Sequence, residues 1–332
     1  MSLPSPSSRL ALLFALALSV SATAEAAAPF VPGTGVRVDR VGDDFEREDW
    51  FFDYQLPKSS KNIDKHVRYP KGKSGNSRWF EGTLRGCPDD IRRVPTPLGG
   101  LPGSHGALLI RTRQSGKPGS ISGKRQQDDL FVSLAGRLGT KVSVASSPSI
   151  VARVYLPPLH EWEDRSGISF GLRADARTYI TEHGKRKLEK YWPGIFIYFS
   201  SKTDAGTGRD SARFVLRAGT KGFDFVGPDI TQTGWWTLGM SFTPDGMVHY
   251  FVRPGVDNLT AGDHVASRFP YGYRCQYLNN FFFNVSNRED GGWSTAWIID
   301  DPELHIQHAL DTADGRFRRV PPRQTTWYRL FE

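Results

Sequence analysis

The sequence predicts an all-β protein, a two-sheet antiparallel β-sandwich with long surface loops. About a dozen short segments alternate apolar and polar residues, as a strand does when one of its faces is buried. Glycine and proline, 34 and 22 of the 332 residues, cluster between these segments, where both residues favour turns. Convincing helical periodicity is absent, and neither a repeat nor a linker divides the chain. These observations favour one β-sandwich or barrel domain.

The chain begins with a sequence typical of an export signal. Arg9 precedes an apolar run over residues 10–20, and small residues follow as far as Ala26. This order of charge, apolar run and small residues is that of a cleaved signal peptide. No later segment approaches the roughly 18 consecutive apolar residues of a membrane helix, so no membrane span is expected. We therefore expect an exported product that is secreted, periplasmic or held at the cell surface.

The domain boundaries follow from these features. The signal peptide covers residues 1–26, the β-sandwich covers residues 27–308, and residues 309–332 form a tail that packs on the sandwich. The net charge of +8 is unchanged by removal of the signal peptide, because that segment contains one basic residue, Arg9, and one acidic residue, Glu25. The oligomeric state is left open.

The clearest element is a β-hairpin in the segment GWWTLGMSFTPDGMVHYFVRPG, residues 234–255. Trp236, Leu238 and Met240 fall on one face of the first strand, and a Pro-Asp-Gly sequence turns the chain. A short helical turn is expected within residues 181–191. The remaining strands are predicted over residues 37–40, 78–83, 107–112, 130–134, 149–156, 167–173, 194–200, 212–217, 222–226, 280–285 and 295–306.

Three long connections and two cysteines complete the pattern. Residues 57–77, 85–105 and 113–127 are polar, basic and rich in glycine, which fits either the rim of a site or mobile surface loops. Cys87 and Cys275 are the only cysteines. In an oxidising compartment these two residues are predicted to form a disulfide that closes a long loop. Two thiols are too few for a cysteine-based zinc site.

Three segments of the sequence resemble the concanavalin A-like lectin/glucanase superfamily, in particular its laminin-G-like jelly-roll branch. They are DDFEREDW at residues 43–50, the hairpin at residues 234–255, and NNFFFNVSNREDGGWSTAWIIDDPELHI at residues 279–306. The resemblance implies two curved antiparallel sheets, first and last strands that lie side by side, and a carbohydrate-binding groove on the concave sheet. It implies no particular reaction, because one fold hosts many functions.

Two pairs of adjacent aspartates, Asp43-Asp44 and Asp300-Asp301, are candidates for a metal-binding site. If the first and last strands are neighbours, their carboxylates converge, and the repulsion between them would favour a bound cation. Oxygen ligands of this kind suit a structural Ca²⁺, and no organic cofactor is expected. In the alternative, one aspartate caps the turn before Pro302 and the other pairs with an arginine. The candidate calcium ligands are Asp43, Asp44, Glu46, Asp300 and Asp301.

Polar side chains in the middle of several strands are the candidate ligand-binding residues. They alternate with apolar neighbours, so they lie on the face opposite the core. The planar guanidinium of arginine binds carboxylate or sulfate with two hydrogen bonds, which favours an acidic polysaccharide. In the alternative, these arginines pair with surface carboxylates and contribute little. The candidates are Arg153, Tyr155, Arg173, Arg213, Arg217, His249, Asn280 and Asn284.

Three classes of function remain open. Non-catalytic binding of an extracellular, preferably anionic, polysaccharide ranks first, because the Glu-x-Asp-x-x-Glu motif of the superfamily's glucanases is missing. A polysaccharide lyase would use Tyr155 or His249 to move a proton, and a hydrolase would use Glu161 and Glu163, which lie in a predicted turn. A structural or adhesive surface protein is the third class. No nucleic-acid partner is predicted, because the exported chain carries no nucleic-acid-binding motif.

Overall fold

Two antiparallel sheets pack face to face in the computed structural model, which describes residues 28–65, 70–206 and 208–308. This architecture confirms the predicted β-sandwich and agrees with the jelly roll that the resemblance implied. The predictions of a signal peptide at residues 1–26 and of a packed tail at residues 309–332 lie outside the described residues. Within these residues, no helix is long and apolar enough to cross a membrane.

The first sheet, called the back sheet, has eight strands. Its order is β17-β16-β15-β9-β19-β6-β5, and β1 pairs with β19. The first and last strands are therefore neighbours, with Val36 opposite Ile306, as the resemblance implied. The strands are β1 (Val36–Arg37), β5 (Asp90–Pro95), β6 (Gly106–Arg111), β9 (Pro148–Leu156), β15 (Gly234–Phe242), β16 (Val248–Pro254), β17 (His264–Arg268) and β19 (Trp297–Ile306).

The second sheet, called the front sheet, has eleven strands. Its order is β14-β13-β12-β10-β18-β7-β4-β3-β2, with β11 paired to β10 and β8 paired to β18. The strands are β2 (Phe52–Asp53), β3 (Lys73–Ser74), β4 (Trp79–Glu81), β7 (Arg125–Ser133), β8 (Val142–Ser143), β10 (Gly167–Glu182), β11 (Lys185–Tyr191), β12 (Gly194–Ser200), β13 (Ser211–Arg217), β14 (Asp224–Ile230) and β18 (Tyr277–Arg288).

In the part of the chain that the structure describes, helical structure is confined to short connections. The helix α1 (Leu134–Leu138) begins after Ser133, whose side chain accepts a hydrogen bond from the Gly136 amide, and ends at Gly139. Side-chain capping of this kind satisfies amides that have no partner within the helix. The other helical segments are α2 (Lys202–Ala205) and four 3₁₀ turns, Val144–Ser146, Leu159–Glu161, Ala261–Asp263 and Pro270–Gly272.

Alternating apolar side chains from both sheets fill the space between them. Trp236, Leu238 and Met240 of β15 are buried in this core, as the sequence predicts. The expected helical turn within residues 181–191 is wrong, because β10 and β11 form a hairpin there. His183 and Gly184 link the two strands with φ angles of 50° and 75°, and a glycine adopts such positive angles without strain. Local turn chemistry therefore prevails over the weak helical pattern.

The predicted disulfide between Cys87 and Cys275 is not formed. Both residues are buried free thiols. Burial raises the pKa of Cys275 to about 12, and it also raises the pKa of Cys87. The Cys275 thiol lies 3.5 Å from the Tyr277 carbonyl oxygen, which accepts its hydrogen bond. The prediction was wrong. The number of cysteines and an oxidising compartment identify which two residues could form a disulfide, but the fold determines whether their thiols come within bonding distance.

Candidate functional site

The outer face of the front sheet carries a polar groove. It consists of two cavities of about 220 and 390 Å³ that share Arg85, and we call both together the front groove. The first cavity has five basic side chains against two carboxylates, and Phe131, Trp192 and Phe282 add aromatic surface. The basic residues of this cavity are Lys61, Arg85, Arg173, Arg177 and Lys190; the carboxylates are Asp129 and Asp175.

Strand alternation and register place these side chains together. Phe170, Leu172 and Ala174 of β10 point into the core, so Arg173 points outward between them. Phe282 on the neighbouring strand β18 pairs with Arg173 and with Phe131 of β7. Side chains opposite one another on adjacent strands lie close enough to interact. One row across three strands therefore combines a guanidinium with two phenyl rings.

Arg173 is the most unusual residue of the front groove. Its side chain is only 4% exposed, and its guanidinium carbon lies 5.2 Å from the ring centres of both Phe196 and Phe282. One amino group donates to the Trp192 carbonyl oxygen at 3.2 Å, whereas Nε has no partner among the residues that the structure describes. Burial lowers the pKa of Arg173 to about 10, and the nearby charge of Asp129 offsets this only in part. A buried cation with incomplete pairing is costly, so an anion in the groove would be stabilised.

Three further buried side chains around Arg173 have polar atoms to which no described residue offers a hydrogen bond. They are Oδ1 of Asp129, Oδ1 of Asn280 and both polar atoms of the Asn284 amide. Buried polar groups in folded proteins nearly always have a partner, either in the protein or in a bound molecule. Four such residues on one stretch of sheet therefore indicate a surface built to contact polar groups of a ligand or ordered water.

At one end of the first cavity, Asp175 and its three donors form an ionic network of hydrogen bonds. Asp175 accepts hydrogen bonds from Arg177 at 3.0 Å, from Asn279 at 3.0 Å and from Asn280 at 3.4 Å. Each donor is buried, so these bonds are protected from water. Arg177 is consequently fixed and neutralised by its neighbour, in contrast to Arg173. This difference makes Arg173 the stronger candidate for an anion contact.

The predicted ligand-binding residues are divided by the structure between the two sheets. Arg173, Asn280 and Asn284 lie together on the front sheet, as the alternation predicts. Arg217 lines the second cavity, where its Nη2 donates to Asp224 at 3.1 Å. Arg213 lies near the edge of the sheet, 3.9 Å from Asp229. These five predicted residues therefore share one sheet.

The other three predicted residues belong to the back sheet, so the prediction of one shared face is wrong for them. Arg153 donates to Asn258 at 3.1 Å, and the ring of Tyr155 packs edge-on against Trp235. His249 is buried, and burial lowers its pKa to about 4. His249 lies on β16, which pairs with β15 and β17 in the back sheet. The front groove is on the other sheet. Neither Tyr155 nor His249 can therefore transfer a proton to a ligand in that groove.

The two hydrolase candidates also lie away from the front groove. Glu161 is exposed in a 3₁₀ turn, 3.9 Å from His160. Glu163 accepts a hydrogen bond from the Arg288 amide at 2.7 Å and forms a salt bridge with Arg165 at 3.2 Å. Burial raises the pKa of Glu163. Because these partners are structural and neither glutamate lines the groove, the pair has no arrangement that suits glycoside hydrolysis.

The groove residues that the sequence analysis missed include Arg85, Asp129 and Arg177. The strand β10 runs nine residues beyond Arg173, so Arg177 continues the same outward alternation. Asp129 alternates with Leu130 and Val132, which are buried in the core. Both residues could have been found by extending the alternation. Arg85 follows β4 in a loop, where no periodic signal exists.

Two of the five predicted calcium ligands, Asp43 and Glu46, accept several hydrogen bonds from other groups. Asp43 accepts hydrogen bonds from two tryptophans and Asn76, and Glu46 accepts from the amides of His105 and Gly106. Among the residues that the structure describes, no group of three or more His, Cys, Asp or Glu side chains could hold a metal ion. The remaining candidates are Asp44, which is exposed, and Asp300 and Asp301. Calcium binding stays a prediction.

Asp300 is a buried carboxylate to which no described residue supplies a cationic partner. Its side chain accepts hydrogen bonds from the Ser104 hydroxyl at 2.8 Å and from the Asp301 amide at 3.0 Å. Burial, followed by the negative charge of Asp301, raises the pKa of Asp300 to about 7. The folded state therefore keeps a proton that the unfolded state releases near pH 4. The contribution of Asp300 to stability is fully present below about pH 4 and is lost as the pH rises through 7.

We expect Asp300→Asn to raise the free energy of unfolding at pH 8 by roughly 1 to 3 kcal/mol, because asparagine keeps the shape without the buried charge. At pH 4 the variant and the wild type should be equally stable. Urea unfolding at both pH values, in chelator, measures this difference, and the exposed Asp257→Asn serves as control. A variant that is less stable than the wild type only when calcium is present would instead assign Asp300 to a calcium site.

Comparisons with solved structures return matches of low overall similarity. No family model and no curated protein matches the chain. An alginate lyase from Pseudomonas aeruginosa has a TM-score of 0.37 at 8% identity, covering 66% of this chain and 86% of that one. The carbohydrate-binding module CBM27-1 of Caldicellulosiruptor saccharolyticus, in complex with mannohexaose, has a TM-score of 0.30 at 12% identity, covering 70% and 92%. Similarity at this level carries no argument about function, which therefore rests on the front groove.

Proposed function

We propose that this protein is exported and binds an anionic polysaccharide along the front groove. The observation that carries the proposal is Arg173, a buried guanidinium whose Nε lacks a partner and whose charge no carboxylate neutralises at salt-bridge distance within the described residues. An anion that enters the groove would supply that partner. Hydrogen bonds between charged groups are stronger than neutral ones, and their strength increases where water is excluded.

The surroundings of Arg173 suit a sugar polymer better than a small anion. The two cavities continue through Arg85, so the groove crosses several strands and can follow an extended chain. Trp192, Phe131 and Phe282 offer apolar surface to the faces of sugar rings. The amide of Asn280, which lines the first cavity, can exchange hydrogen bonds with hydroxyl groups. Lys61 and Lys190 add positive charge in the same cavity, which favours an acidic polymer.

A panel of soluble polymers tests the proposal. We expect the mature protein to retain polyuronates such as polygalacturonate and alginate in affinity electrophoresis, and to ignore neutral dextran and mannan. Binding should weaken as salt rises, because the contacts include exposed charges. Binding of neutral polymers alone would contradict the anionic assignment. If no polymer of the panel binds, the structural or adhesive class becomes the better assignment.

A second candidate function, polysaccharide lyase, is favoured by Tyr198. This tyrosine lines the second cavity together with Arg85, Arg217 and Gln127, so a phenol lies on the same surface as groups that can neutralise a uronate carboxylate. Neutralisation of the carboxylate and removal of the neighbouring C5 proton are the two requirements of β-elimination. The same panel distinguishes the classes, because a lyase releases unsaturated products that absorb in the ultraviolet, whereas a binding protein releases none.

A further inference from the structure

Among the described carboxylates of the front groove, Asp129 has the longest contact with its counter-charge. It lies on β7, and β18 places Asn284 directly opposite it. Its Oδ1 is buried and has no partner, and its Oδ2 lies 3.8 Å from Nε of Arg85. Its backbone amide donates to the Gly86 carbonyl oxygen at 2.8 Å, which holds the strand against the loop that carries Arg85. The other groove carboxylates are paired at shorter range, Asp175 with Arg177 at 3.0 Å and Asp224 with Arg217 at 3.1 Å.

The groups that face Asp129 are two cations and a neutral amide. Arg85 approaches from the loop after β4, Arg173 from β10, and Asn284 from β18. The adjacent carboxylate, Asp128, points to the other side of β7, where Lys58 pairs with it at 2.8 Å. A histidine, which could titrate near neutral pH, is missing from both cavities among the described residues. Asp129 is therefore the group whose protonation can change the affinity for a ligand beside Arg173.

The environment makes Asp129 easier to protonate than an exposed aspartate. Burial raises its pKa to about 6, and the positive charges of Arg85 and Arg173 oppose this rise without cancelling it. An anion bound beside Arg173 would share these two cations with Asp129. A second negative charge at short range disfavours ionisation further, so the pKa of Asp129 would increase upon binding. Free and bound protein would then hold different numbers of protons near pH 7.

We propose that Asp129 selects carboxylate-bearing polymers by taking up one proton from solvent and donating it in a hydrogen bond to a ligand carboxylate held beside Arg85 and Arg173. This inference rests on the proposed function and adds the ligand class and its coupling to protons. Only an O–H bond forms, on Asp129, and the ligand remains an anion. A carboxylate is a better acceptor than a sulfate, which is the weaker base, so the shared proton favours uronates over sulfated sugars.

Titration calorimetry at pH 7, in buffers that differ in ionisation enthalpy, measures the proton uptake directly. With oligogalacturonate as the probe, we expect the wild type to take up close to one proton per site. Its affinity should fall about fivefold to tenfold between pH 7 and pH 8, because binding coupled to one proton weakens up to tenfold per pH unit. Exposed uronate carboxylates are ionised throughout this range and do not contribute.

Two variants and a control identify the proton acceptor. Asp129→Asn should bind oligogalacturonate without proton uptake and with little dependence on pH, whereas Asp229→Asn, at the edge of the same sheet, should behave as the wild type. If Asp129→Asn fails to fold, Arg85→Gln provides a second measurement. Loss of that cation should shift the fall in affinity to higher pH, because it further disfavours ionised Asp129.

Each result bears on the inference. Proton uptake that survives in Asp129→Asn, or wild-type binding without uptake, would overturn the role of Asp129 while leaving polysaccharide binding intact. Equal affinity and equal uptake with a sulfated oligosaccharide of the same charge would overturn the selection of carboxylates. Failure of all anionic polymers to bind at pH 5 and at pH 8 would instead remove the proposed function, and this inference with it.

Discussion

Replacement of Arg173 by methionine is expected to reduce the affinity for an anionic polysaccharide at least tenfold, and by as much as about a hundredfold. Buried, well-packed contacts at the centre of an interface contribute most of its binding energy. Methionine retains much of the apolar contact with Phe196 and Phe282 and removes only the cation. Affinity electrophoresis and calorimetry with polyuronates measure the loss.

The same substitution should leave the fold intact or stabilise it, by roughly 1 to 3 kcal/mol. The reason is that Arg173 is a buried charge without a salt bridge among the described residues, and removal of such a charge relieves its desolvation cost. Arg253→Met is the matched control, because Arg253 lies on the back sheet and pairs there with Asp257 and Asp263. A less stable Arg173→Met that still binds the polymer would make Arg173 a structural residue and locate the ligand elsewhere.

Local alternation in the sequence predicts which face of a strand a side chain occupies, and it fails to predict which sheet the strand joins. Arg153 and Arg173 alternate with apolar neighbours in the same way, and both point away from the core. Their sheets differ because β9 pairs with β15 and β19, whereas β10 pairs with β12 and β18. Such pairings join residues far apart in the chain, and no local pattern encodes them. Only five of the eight predicted ligand-binding residues therefore lie on the same sheet.

The acidic residues near the two ends of the domain illustrate the same limit. The pairing of β1 with β19 follows from the resemblance, and it brings the two acidic segments into one region. Repulsion among their carboxylates predicts a cation. The side chains of Asn76 and Ser104, in unrelated loops, donate hydrogen bonds to Asp43 and Asp300, and a cation at these carboxylates stays a prediction. The sequence analysis could not identify these donors, because Asn76 and Ser104 belong to segments without periodic structure.

Replacement of Asp43 by alanine is expected to have the largest effect on stability. Its Oδ2 accepts hydrogen bonds from Trp50 Nε1 at 3.0 Å, Asn76 Nδ2 at 2.7 Å and Trp79 Nε1 at 3.0 Å. Trp79 is fully buried and stacks on Phe283 of the front sheet, so one carboxylate ties the segment before β2 to the core. Alanine would leave both buried indole N–H groups without an acceptor.

Each orphaned buried donor costs about 1 to 3 kcal/mol, so Asp43→Ala should lower the free energy of unfolding by about 3 to 5 kcal/mol. Asp43→Asn should lose less, because its amide oxygen can still accept from the tryptophans. Asp44→Ala, at the exposed neighbouring position, should remain within about 0.5 kcal/mol of the wild type. Urea unfolding of the three variants, with and without chelator, measures these values. Equal stability of the Asp43 and Asp44 variants would contradict the anchoring role, and a loss seen only when calcium is present would assign Asp43 to the metal instead.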